Sequence, residues 1–320
     1  MSENTNKNQR HMKVILSRKG FDSANGGCAS PILHPADDTG IALSDRCTLL
    51  SLPIPDEIGI EYTKLRVPES SGISYADLIS QLKGHDFPPA TGKRMAHLDP
   101  DIRKDNREEK DIAWDPAFGQ TKAAATFLKN NHVEKGDLFL FFGWFRNTTH
   151  TENGYRFVRK RDADRFFEYA DMQIIYGYLQ IEQILQDKKD ISSYEWHPHA
   201  MGKYIDQENN TLFLPSQILE TGISDIDRLK LPGYKAFNFR PSLILTQEGR
   251  SRGTWTDRPC YRPENVVSAD PTKPRKNSAK GSGIYYKGIW QELILKDTSD
   301  NPGLKDWLVG IFKDEAVTPD

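Results

Sequence analysis

Leu138-Phe139-Leu140-Phe141-Phe142-Gly143-Trp144-Phe145 carries no charged or amide side chain over eight positions. A strand with one wet face would alternate apolar and polar residues. This run does not, so it must be buried on both faces and belongs at the centre of a sheet. Gly136-Asp137 turns the chain into it. A second long run, Met172 to Ile184, reads mostly as strand, with Gly177 suited to a bulge or a close backbone approach. Shorter strands are predicted at 13–16, 47–52, 211–214, 243–246 and 289–295, the second ended by Pro53-Ile54-Pro55-Asp56. Helical spacing appears at 75–82 behind Ser74, at 123–128 behind Thr121, and at 304–312. Strands outnumber helices at irregular spacing. The fold class is therefore α+β: a mixed, strand-rich core with flanking helices and long functional loops, not a doubly wound sheet. The pair of long strands looks like the core of PUA-like barrels, including base-recognising ones.

The 320 residues fit one large domain or two small ones. Residues 1–11 are polar and read as a disordered extension, 12–313 as a single domain, and 314–320 as a flexible tail. The polar stretch 84–120 is long for a loop, which points to function, and 272–282 reads as a mobile loop. No apolar stretch is long enough to span a membrane, and the first residues lack the apolar core of a secretory signal. Three cysteines without a close pair form no disulfide framework or zinc knuckle. A cytoplasmic, reducing compartment is expected.

Chemistry-bearing residues fall in four places. The loop after the first strand offers Ser17, Arg18, Lys19, Asp22, Gly26, Gly27 and Ser30, which suit an anionic or sugar-like group because glycines let backbone N–H groups come close. Lys19 is read first as a phosphate or substrate clamp. His97, Asp99 and Asp101 form the densest cluster, on one side of an extended segment. Two readings stay open: a divalent ion held by all three, or metal-free chemistry in which one aspartate activates water or stabilises a sugar cation. The second is preferred, so no metal or other cofactor is expected. His197 and His199 flank Pro198 and can face one site. Gln120, Trp144 and Gln291 are further candidates for substrate contact, Trp144 by stacking.

The net charge of −2 argues against indiscriminate nucleic-acid binding, but charge is uneven. Arg240, Arg250, Arg252, Arg258 and Arg262 cluster with Trp255 and Tyr261 among them, a pattern that suits phosphate contact and base stacking. No phosphate-cradling Gly-Lys-Ser/Thr loop, dinucleotide fingerprint, zinc-deaminase signature or nucleophile elbow is present, which disfavours those chemistries.

Taken in order, the motifs Ser17-Arg18-Lys19-Gly20-Phe21-Asp22, Gly26-Gly27, Ser30-Pro31-Ile32, Leu52-Pro53-Ile54-Pro55, His97-Leu98-Asp99-Pro100-Asp101, Phe118-Gly119-Gln120, residues 136–145, His197-Pro198-His199 and Gln291-Glu292 resemble those of the third type of nucleotide modification associated domain. The likeness covers roughly residues 12–313. It implies a role around hypermodified DNA bases in bacterial or phage settings, with modified DNA as partner. The leading expectation is a glycosylase-type enzyme that flips out and excises a modified base, in which Asp99 or Asp101 assists its departure. A hypermodification enzyme and a non-catalytic reader of modified bases are the alternatives.

Overall fold

The computed structural model describes residues 12–38, 40–68, 70, 72–107, 114–268, 275–276, 284–286, 291–297 and 301–317. The expected extension at 1–11 and most of the 272–282 loop lie outside them.

The strands in chain order are β1 (Val14–Arg18), β2 (Ser30–Leu33), β3 (Thr48–Leu49), β4 (Ile54–Asp56), β5 (Ile60–Glu61), β6 (Met95–His97), β7 (Phe118–Gln120), β8 (Leu138–Thr151), β9 (Gly154–Phe157), β10 (Met172–Leu185), β11 (Thr211–Pro215), β12 (Tyr234–Ala236), β13 (Val266–Ser268), β14 (Arg275–Lys276), β15 (Ile284–Tyr285) and β16 (Glu292–Leu295). Eleven of them form one mixed sheet whose main path runs β13-β16-β1-β8-β10-β11-β7. The architecture is α+β with few helices. β8 lies at the centre as its composition demands: β1 pairs with it in parallel, Val14 opposite Leu138, and β10 pairs with it antiparallel. Phe139, Phe141, Phe142 and Phe145 are all fully buried, on both faces of the strand. The β10 ladder shifts register between Ile175 and Gly177. A Cβ at Gly177 would stand 2.9 Å from the Lys235 carbonyl and closer still to Ile102, so only glycine lets β12 approach.

A smaller sheet, β4-β6-β5, and helix α1 (Tyr75–Lys83) share a second apolar cluster containing Tyr62, Tyr75 and Leu78. Ser74 and Asp77 close a reciprocal capping box at the start of α1. Helix α2 (Lys122–Asn130) follows β7, although the Thr121 side chain makes no cap hydrogen bond. The helix at Leu304–Phe312 packs its apolar face into the main core.

Several expectations need adjusting. The strand at 47–52 is shorter than expected, β3 covering only Thr48–Leu49, and it ends before Pro53; Ile54–Asp56 then forms a separate edge strand of the smaller sheet, where the missing N–H of Pro55 is tolerated. Residues 243–246 are not a strand, because Pro241 opens a 3-10 turn and only single bridges follow, Ile244 to Ile174 and Thr246 to Trp255. Beyond Asp314, Glu315 is anchored, its carboxylate 2.6 Å from Arg240 and 2.9 Å from Lys235. Trp255 and Tyr261 are fully buried core residues and offer no face to a base.

Candidate active site

Long-range strand pairing gathers residues that are far apart in sequence. β6 ends at His97, which places Asp99 just beyond it. β7 pairs with β11, Gly119 opposite Leu212. A short 3-10 turn, Pro198–Ala200, presents His197 and His199, and Asn210 stands just before β11. The Gly119 N–H donates to Asp99 Oδ1 at 2.7 Å. His197 Nε2 is 3.5 Å from the same oxygen, long for a hydrogen bond, and His199 Nε2 is 3.9 Å from Asp99 Oδ2. One ring nitrogen of His97, one of His199 and one carboxylate oxygen of Asp99 all lie within 4.8 Å of one another.

Hydrogen bonds orient both imidazoles of the turn. His197 Nδ1 accepts from the His199 N–H at 3.2 Å. Asn210 donates through Nδ2 to the His199 carbonyl at 2.9 Å, so its Oδ1, 2.8 Å from His199 Nδ1, is the acceptor of a proton held there. On the outer side Asp56 stands 3.8 Å from His97 Nδ1 and accepts from the Tyr204 hydroxyl and, at 3.1 Å, from Lys203 Nζ.

Burial pushes His97 down to about 4, opposed by the nearby Asp99 charge. It pushes His199 down to about 3, again against Asp99. For Asp99 burial acts upward, but the His197 contact and the charges of His199 and Lys19 prevail and hold the carboxyl well below its ordinary range. At neutral pH the imidazoles of His97 and His199 are therefore uncharged beside an ionised carboxylate.

A second cluster adjoins it. Glu292, on β16 opposite Ser17, accepts from Ser17 Oγ at 3.0 Å and from Gln120 Nε2. Lys19 Nζ lies 3.5 Å from Glu292 Oε1, 4.6 Å above the Phe118 ring, and donates to Gln291 Oε1 at 3.2 Å. Gln291 is exposed, so the Lys19–Gln291 pair marks the solvent edge of the site. Burial raises the Glu292 carboxyl above its ordinary value despite Lys19.

The family model for nucleotide modification associated domain 3 matches residues 13–296. The chain belongs to that family. No curated protein and no solved structure matches it. For this nucleotide modification associated domain, the match spans every element that supplies a residue to the two clusters, and it ties the fold to modified nucleotides.

Within this domain the residues singled out from sequence separate. His97, Asp99, His197 and His199 come together, as do Ser17, Lys19, Gln120 and Gln291. Asp101 stands apart: it forms a buried ion pair with Arg107 and a backbone bridge to Ala117. Asp22 holds its own loop, accepting from the N–H groups of Ala24 and Asn25 and from Arg18. Gly26 has a left-handed φ of 91° and lies against the Phe21 ring. Gly27 is likewise left-handed, in the open near Lys83. Ser30 Oγ accepts from Leu52 N–H inside the core.

Arg18, Trp144 and Arg252 line a separate cleft of about 210 Å³, where the Arg252 guanidinium stacks 3.8 Å above the Trp144 ring. The other arginines of that segment diverge. Arg240 is buried against Glu315, Arg262 pairs with Asp257, Arg250 is exposed, and Arg258 is half-buried near Tyr261. Asp56, Tyr204 and Asn210 belong to the candidate site and were not singled out. Glu292 was named only within the Gln291-Glu292 motif, where alternation lets at most one of the two face a given pocket. A surface depression of about 670 Å³ is bordered by Glu182, Tyr194, Ile218 and Tyr234 and brings together no histidine or cation.

Proposed function

We propose that this domain is an enzyme acting on a modified base in DNA, by a glycosylase-type hydrolysis that excises the base. One observation carries the reading. Two carboxyl groups share the field of Lys19, yet their environments push them apart: Asp99 is held ionised and Glu292 is raised toward the neutral acid. Such a pair suits cleavage of an N-glycosidic bond. Glu292 donates a proton to the departing base, and Asp99 stabilises the oxocarbenium-like sugar and directs water to it. Gln120, Lys19 and Gln291 offer polar contacts to the flipped nucleotide at the solvent edge. The Arg18–Trp144–Arg252 cleft offers two guanidinium groups and an indole for the flanking strand. The setting is the cytoplasm, in keeping with three free thiols at Cys28, Cys47 and Cys260. Among the described residues no helix is long and apolar enough to cross a membrane.

The test is incubation of the protein with duplexes carrying unmodified, hydroxymethylated or glucosylated bases, with abasic sites read by alkali cleavage and free base by mass spectrometry. Release from a modified duplex only is the expected result. Tight binding without release on every duplex would replace the enzyme by a reader of modified bases.

A further inference from the structure

We infer that His97, Asp99 and His199 form a binding site for a divalent first-row transition ion, with Asn210 setting the tautomer of His199. The inference goes beyond the proposed reaction; both use the Asp99 carboxylate, but the site is argued from donor atoms and is tested apart from base release.

Geometry supplies the first argument. The three donors lie within 4.8 Å of one another. Metal bonds of about 2.0–2.2 Å put neighbouring ligand atoms roughly 3–3.5 Å apart in a tetrahedral shell, so the most distant donors need to close by roughly 1.5 Å. Two imidazoles and one carboxylate favour a borderline ion of the zinc, iron or cobalt kind over magnesium or calcium.

The second argument is which lone pairs face inward. Asn210 Oδ1 fixes the His199 proton on Nδ1, so His199 Nε2 presents a lone pair toward Asp99 Oδ2, itself an acceptor, 3.9 Å away. Two acceptors facing each other in a buried space call for a cation between them. The other oxygen of Asp99 is turned to the Gly119 N–H and to His197, which leaves Oδ2 as the outward donor. A ligating histidine whose second nitrogen is bound by a side-chain oxygen is the arrangement that metal sites use to orient their ligands.

The third argument is unmet bonding. His97 Nδ1 and His197 Nε2 are buried without a hydrogen-bond partner, the first 3.8 Å from Asp56 and the second 3.5 Å from Asp99. Buried polar atoms are nearly always satisfied, and each of these stands beside a carboxylate of the cluster. The sequence favoured metal-free chemistry and, for a metal, paired His97 and Asp99 with Asp101. In the fold Arg107 takes Asp101, and His199 comes in its place from the 3-10 turn at Pro198–Ala200.

The experiment uses the full chain, stripped with chelator and titrated with Co2+. One Co2+ per chain, visible d–d absorption, a rise in Tm and paramagnetically shifted imidazole signals from at least two histidines are expected. His97→Ala and His199→Ala should lower Co2+ affinity at least as much as Asn210→Ala, for which about 10–100-fold is expected. His85→Ala, on the exposed surface, should bind like wild type. A stripped wild-type protein that takes up no stoichiometric Co2+, or His97 and His199 variants that bind it unchanged, would overturn the site. Should those variants fail to fold, the imidazole signals of the wild-type titration decide. Base release plays no part in this readout, so failure of the metal site and failure of the glycosylase reading remain distinguishable.

Discussion

The imidazole of His199 fills the space that a side chain at Gly119 would need: a Cβ there would sit 2.3 Å from His199 Cδ2. The same Gly119 donates its N–H to Asp99. One residue thus seats the ring on one side and the carboxylate on the other. Gly119→Ala should displace the ring and cost about 1–3 kcal/mol, as overpacking of a dense core does. A thermal melt and a base-release assay check this together. Retained turnover with an unchanged Tm would show that the ring is not held there.

Asp99 and Asp101 should separate by variant. Asp99→Asn keeps the shape of the side chain but removes its charge from the histidine cluster, and turnover should vanish while the DNA is still bound. Asp101→Asn instead leaves Arg107 as an unpaired charge in the interior, at a cost of about 3–5 kcal/mol. Its signature is a lowered Tm. Full activity in the Asp99 variant would remove that residue from the mechanism.

Glu292 sets a pH dependence. Its carboxyl is raised in the folded protein, so the folded state holds the proton more tightly than the unfolded chain. Two consequences follow in one direction. Stability from this group is present below the unfolded value and is lost as pH rises through the folded one. The rate of base release, if Glu292 is the acid, falls over the same rise. Lys19→Met removes the cation that favours the ionised form, so the falling limb of the kcat/KM profile should move to higher pH. Glu292→Gln should abolish that limb along with most of the rate.

The two best-placed arginines of the basic segment should behave in opposite ways. Arg252, stacked on Trp144 in an open cleft, should contribute to DNA affinity. Arg252→Ala is expected to weaken binding and reduce the salt slope by about one. Glu315→Gln, which leaves Arg240 buried without its main partner, should lower Tm with little change in affinity. Binding isotherms at several salt concentrations, set beside melts, distinguish them.

What could be read from the sequence is local. The wholly apolar run of β8, the bulge at Gly177 and the Ser74 cap of α1 are written within a few residues of where they act. The histidines and Asp99 were visible as chemical types, but their meeting was not. Asp99 meets Gly119 beside the bridge of Asp101 to Ala117, and the pairing of β7 with β11 then brings both to His199 and Asn210, which no spacing encodes. Arg240 and the two aromatics misled for a related reason. Their surroundings in sequence are basic and polar, while their surroundings in space are Glu315 and the main core. Asn210 and Asp56 carry no motif at all, being ordinary polar residues until the fold sets them against the two imidazoles.

Action of the buried group around Asp99 on a modified base is read from a single paired assay. Wild-type protein and Asp99→Asn are incubated with the same glucosylated or hydroxymethylated duplex, and released base is quantified by mass spectrometry. Release by the wild type alone, from modified DNA alone, with comparable binding by both proteins, is the expected result. Release by both, or from unmodified DNA equally, would contradict it.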